Sequence, residues 1–87
     1  MQDLVFTLPK DENGELVSEE QLRREYRLPH HTRLRRNLAI RFWYRAGLSV
    51  EEIMAQPICK DLKSPQSVYS IIKSTAYNYM EEKYGLR

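Results

Sequence analysis

The chain has 87 residues, 41% of them hydrophobic, a single cysteine and a formal net charge of +2. That is enough for one domain with a modest core, too little for an enclosed catalytic cleft plus a cofactor domain, and too apolar for wholesale disorder. A lone Cys59 excludes an intrachain disulfide, and with no signal-peptide pattern and no long apolar run the expectation is a cytoplasmic protein without a membrane partner.

The small net charge conceals an asymmetry. Residues 1 to 20 hold six acids and one lysine, residues 23 to 46 hold eight arginines and one acid, Glu25, and residues 47 to 87 hold five charges of each sign. An arginine block of that density is an electrostatic footprint of nucleic-acid binding that the average hides. The acidic stretch could lie across the arginine block and weaken non-specific binding.

In chain order, Leu4-Val5-Phe6, Leu8 and Pro9 predict a short strand or extended arm, and Asn13-Gly14 predicts a turn that closes a small hairpin if Glu15-Leu16-Val17 is extended too. Ser18 opens the first helix, expected over 19 to 27. Ser18 and Gln21 have capping-box spacing, Val17 and Leu22 fit the hydrophobic staple, and Glu19 and Glu20 suit the positive end of the helix dipole. Pro29 ends it. His30 and His31 lack a partner at metal-ligand spacing and read as exposed loop residues or helix-capping groups, so no metal and no cofactor are expected.

A second helix is expected over 32 to 46, with Leu34, Leu38 and Phe42 as its core stripe, widened by Ala39, Trp43 and Ala46. Ile40 and Tyr44 project opposite that stripe, toward the N-terminal segment or a second copy of the chain. Arg33 and Arg36 lie away from it, while Arg41 and Arg45 flank it, where guanidinium forks could clamp phosphates. A solvated or salt-bridged role is the alternative for each arginine.

Gly47 suits a left-handed helix cap, Ser49 and Glu52 form a second capping box between Leu48 and Ile53, and a helix over 50 to 56 stops at Pro57. Ser64 and Pro65 then begin a last helix expected to run unbroken from 65 to 84, with Gly85 as its cap. Wound at about 100° per residue, it would place Val68, Ile71, Ile72, Ala76, Tyr79 and Met80 on an apolar side. Gln66, Ser67, Ser70, Lys73, Ser74 and Tyr77 would fall on the other. No acid precedes Glu81 there, as a surface approaching phosphates requires, and short donors and acceptors suit base edges.

The run from Tyr44 to Ile53, followed by Ser64 to Lys73, resembles the helix-turn-helix of small bacterial and phage transcriptional regulators. It is similar also to the promoter-reading region of sigma factors and to homeodomain-like resolvase and transposase modules. The likeness covers about 45 of the 87 residues. The thirteen-residue spacing from Ala55 to Val68 exceeds the compact form of the motif, so residues 57 to 63 must form a longer turn or a small helical loop.

The expected fold class is therefore mostly α: an extended or hairpin segment over 1 to 17 and a single helical domain over 18 to 87, with the helix-turn-helix at 48 to 84. The expected partner is double-stranded DNA. Gln66, Ser67, Ser70, Lys73 and Ser74 would face base edges, and Arg41, Arg45, Lys63 and Tyr77 would hold phosphates. One helix reads few base pairs, which suggests a homodimer or repeated sites. The competing expectation is a protein-binding module that grips RNA polymerase, a repressor or a replication protein through the arginine block. An enzyme is not expected: there is no glycine-rich phosphate loop, no metal-ligand spacing and no nucleophile paired with a base.

Overall fold

A computed structural model describes residues 5 to 86. It contains α1 (Glu19–Glu25), α2 (Leu34–Arg45), α3 (Val50–Met54), a 3-10 turn (Pro57–Cys59), α4 (Pro65–Ile72) and α5 (Thr75–Lys83). The mostly helical expectation holds, and Leu4 of the expected N-terminal strand lies outside the described residues.

The N-terminal segment is a hairpin-like turn held by one isolated antiparallel bridge between Lys10 and Leu16. The Asp11 carboxylate accepts from the backbone N–H of Asn13 at 2.8 Å and of Glu15 at 3.0 Å, and Gly14 takes φ +80° at the tip. The segment also supplies core: Phe6 and Val17 are buried, and the Phe6 ring stands 5.8 Å from that of Phe42. Glu19 and Glu20 pair with Arg23 on their own helix, and Asp11 and Glu12 lie beside Lys83 and Tyr84. Arg23 belongs to the arginine block, and Glu19 also lines a cleft with Arg33, Arg35 and Arg36, so the acidic stretch meets the block at that edge.

The helix boundaries follow local chemistry. Ser18 Oγ caps α1 by accepting from Gln21 N–H at 3.1 Å. Ser49 and Glu52 form the full reciprocal box, with bonds of 3.1 and 3.0 Å. The Ser49 backbone N–H first, and then the Ser49 side chain, hold the Glu52 carboxyl below its ordinary pKa. α1, α2 and α5 share one ending, in which a residue at positive φ lets its own amide and the next one turn back onto the helix. At α2, Gly47 N–H donates to the Tyr44 carbonyl and Leu48 N–H to the Trp43 carbonyl, each at 3.1 Å. Arg27 has the same place after α1 at φ +55°, the one non-glycine residue with positive φ among those described.

α2 is the central element, packed by α1, α3 and α4. Leu34 and Leu38 face one side of it and Ile40 and Trp43 another, so all four are buried, and Ile40 belongs to the core rather than to an outward face. Tyr44, by contrast, is 44% exposed. Leu22, Leu34, Leu38, Ile40, Ile53, Val68 and Met80 are all fully buried. Each contributes about 1.5–3 kcal/mol relative to an exposed side chain.

The expected long helix over 65 to 84 is corrected: it is two helices. Lys73 ends α4 and Ser74, at ψ 123°, turns extended before α5 begins. The break exposes the last carbonyls of α4, and Arg41 meets them from α2. Its Nη1 donates to the carbonyls of Ile71 at 2.9 Å, Ile72 at 2.6 Å and Ser74 at 3.4 Å. A cation at a helix C-terminus satisfies orphan acceptors and opposes the negative end of the dipole.

Candidate nucleic-acid interface

α3, the 3-10 turn and α4 form a helix, connector and helix laid on α2. α4 contacts both α2 and α3. The connector is the small helical loop that the long spacing demands, with Pro57 at its first position and Cys59 buried beneath it. Burial raises the Cys59 thiol above its usual pKa.

α4 buries Val68 and half-buries Ile71 and Ile72. Its opposite side presents Gln66, Tyr69, Ser70 and Lys73, all exposed. These positions follow i, i+3, i+4, i+7 and form one stripe. Lys63 stands exposed just before the helix. None of these five side chains makes a hydrogen bond or ion pair among the described residues. Between Asp61 and Glu81 there is no acid, and both are engaged: Asp61 by Arg33, and Glu81 by Arg41 and Arg45 at 2.8 Å each. The stripe is polar, uncommitted and free of carboxylates.

Several expected positions are placed differently. Ser67 is half-buried, with its hydroxyl 3.5 Å from that of Ser64. Ser74 is half-buried at the α4–α5 break, and its carbonyl accepts from Arg41. Tyr77 is 6% exposed, and its hydroxyl accepts a 2.7 Å hydrogen bond from Asn37 Nδ2. It sits in the core, away from any backbone a ligand could present. Burial pushes its hydroxyl above the ordinary tyrosine pKa, opposed by the Asn37 bond and the nearby charges of Arg36 and Arg41.

Arg41 is also inside. Besides the α4 carbonyls, its guanidinium binds Glu81 and Asn78, and it lies 5.9 Å from the centre of the Tyr77 ring. Arg45 is spent on Glu81 and on the Leu86 carbonyl at 3.1 Å. Neither guanidinium is held out for a phosphate in this structure. Both expected clamps are structural braces between α2 and α5.

Tyr69, 44% exposed, is the residue that the sequence reading left out of the stripe. Its spacing from Gln66 and Lys73 was the available signal. Tyr77 and Tyr79 changed places for a related reason. A continuous helix sends Tyr79 inward and Tyr77 outward, but the break re-aims α5, so Tyr77, Met80 and Glu81 are buried and Tyr79 is 67% exposed.

His30 and His31 are exposed in the α1–α2 loop. Among the described residues, no group of three His, Cys, Asp or Glu side chains could hold a metal ion, and no helix is long and apolar enough to cross a membrane. Comparison with protein-family models, with curated proteins and with solved structures finds no match to this chain.

Proposed function

We propose that this is a sequence-specific double-stranded DNA-binding protein, a small transcriptional regulator in which α3, the connector and α4 act as a helix-turn-helix. One observation carries the reading: the stripe Gln66, Tyr69, Ser70 and Lys73, uncommitted among the described residues, on a carboxylate-free helix whose other side is packed on α2 and α3. In this reading Gln66 and Ser70 meet base edges, and Gln can bond adenine in bidentate fashion. Tyr69 packs its ring on a sugar or a thymine methyl, and Lys73 and Lys63 hold phosphates. Eight residues at about 1.5 Å rise per residue reach only a few base pairs, which favours a homodimer on a two-fold site.

The test is selection of bound fragments from a random duplex pool, followed by titration of the winner across a salt series. An enriched motif whose affinity falls steeply with salt supports the proposal, and a two-fold motif supports the dimer. Absence of enrichment, with only feeble binding at low salt, rejects it.

A second reading, a helical module that docks on a protein of the transcription machinery, is favoured by the exposed aromatics Tyr44, Tyr69 and Tyr79. Tyrosine is enriched among the side chains that dominate protein interfaces. Partner capture that survives Gln66→Ala with Lys73→Ala would favour it over DNA reading.

A further inference from the structure

The corner where the α1–α2 loop meets the start of α2 and the connector is a cleft of about 260 Å³. Four guanidinium groups, two imidazoles and one carboxylate line it: Arg23, Arg33, Arg35, Arg36, His30, His31 and Glu19. Two of the arginines are already committed. Arg23 is bound by Glu19, Glu20 and the Thr32 carbonyl, and Arg33 by Asp61. The other two are not. Arg36 meets only the Asn37 side-chain oxygen, at 3.1 Å, and Arg35 is exposed with no side-chain bond among the described residues. Glu19, the carboxylate in the lining, is held by Arg23, so Arg35 and Arg36 have no carboxylate partner among the described residues, next to a third guanidinium at Arg33.

This arrangement is electrostatically incomplete. Arg36 has its pKa lowered, first by burial and then by the charge of Arg33, and an anion in the cleft would oppose that repulsion. The end of α2 adds to the field. Arg33, at the N-cap, makes no side-chain cap bond, and the first turn holds no acid, so α2 itself supplies no group that opposes the positive end of its dipole. Guanidinium forks around a cleft match the geometry of phosphate oxygens.

We infer that this cleft is a phosphate-binding site, and that its occupant is a phosphodiester group of the duplex contacted by α4. The inference rests on the DNA-reading proposal above. The connector joins the two places: Ile58 lines the cleft, Asp61 ties Arg33 to the connector, and Lys63 and α4 follow directly. Duplex DNA presents a charge about every 1.7 Å of axis, so a helix seated in its groove brings neighbouring phosphates against adjacent protein surface. The cleft then fixes the position of the protein along the duplex and carries no sequence preference of its own.

Arg35 is the residue for the test, because its exposure and lack of bonds leave folding independent of it. Amide shifts of the full chain would be followed during titration with a short random duplex and, separately, with inorganic phosphate. The salt slope of duplex binding would be measured for the wild type and for Arg35→Glu. The expected result is that duplex shifts residues 30 to 36 together with 66 to 73, and that Arg35→Glu lowers the salt slope by about one while leaving the ranking of sequences unchanged. Shifts at 66 to 73 alone, with an unchanged slope, overturn the cleft assignment and leave the DNA reading standing. Duplex that shifts neither region overturns both. Phosphate that shifts 30 to 36 where duplex does not would refute a DNA phosphodiester as the occupant.

Discussion

Arg41 and Glu81 form an ion pair of 2.8 Å with side chains only 5% and 1% exposed, and the same arginine holds the last carbonyls of α4. The pair joins the central helix to α5 and fixes where α4 must stop. Arg41→Met removes the donors to Ile71 and Ile72 and leaves Glu81 with Arg45 alone. Breaking one side of a buried pair costs about 3–5 kcal/mol, which urea denaturation would read. Glu81→Gln keeps an acceptor in place and should cost less. A loss below about 1 kcal/mol for Arg41→Met, the scale of one ordinary hydrogen bond, would show that the break does not depend on this residue.

Tyr77 and Asn37 give a second prediction. Tyr77→Phe leaves the buried Asn37 amide without its acceptor, and the expected cost is about 1–3 kcal/mol. Tyr79→Phe, at an exposed position, should change stability by less than about 0.5 kcal/mol. Equal effects at the two tyrosines would contradict the re-aiming of α5.

Alkaline pH should expose the same residue. The Tyr77 hydroxyl has its folded pKa raised, so above about pH 10 the unfolded chain releases a proton that the native chain keeps. Its contribution is complete below the unfolded value and is lost as pH rises through the folded one. Tyr26 and Tyr84 shift in the same direction, and Tyr77→Phe should make the alkaline loss of stability shallower without abolishing it. An unchanged slope in denaturation series across that range would count against the buried placement.

On α4 the stripe residues should separate by role. Lys73→Ala is expected to weaken duplex binding evenly across sequences and lower the salt slope by about one, whereas Gln66→Ala should lose about 1–3 kcal/mol of discrimination at one base position. Tyr77→Phe, corrected for folded fraction, should do neither. If Tyr77→Phe changed the salt slope as Lys73→Ala does, the tyrosine would have to be reaching DNA after all.

Backbone conformation offers a paired test. Gly47→Ala places a β-carbon on a residue at φ +102°, where about 1–2 kcal/mol of strain is expected although nothing lies within 4 Å. Arg27 already bears that kind of strain at φ +55°, so Arg27→Gly should stabilise the fold by about 0.5–1 kcal/mol. Thermal melts of both variants, moving in opposite directions, would check this.

Local chemistry was legible in the chain. Ser49 and Glu52 predicted the box that forms, Gly47 predicted the end of α2, Pro57 predicted the end of α3, and the spacing before Val68 demanded the helical connector. Each depends on groups within a few residues of one another, where backbone donors and acceptors leave few choices. The carboxylate-free run after Asp61, with Gln66, Ser70 and Lys73 on one side of a helix, was legible for the same reason.

Tertiary structure decided the rest. Nothing local announces that the helix beginning at Pro65 must stop at Ile72; the break stands because Arg41, about thirty residues earlier, supplies donors for the freed carbonyls. That one long-range contact turns Tyr77 inward and Tyr79 outward, and converts Arg41 and Arg45 from candidate phosphate clamps into braces on Glu81. Arg35 and Arg36, at the other end of the same helix, are the arginines of α2 without a carboxylate partner among the described residues. Helical periodicity ranks faces by apolarity, and it cannot assign a buried charge, because what makes burial of an arginine tolerable is a partner that only the folded chain brings near.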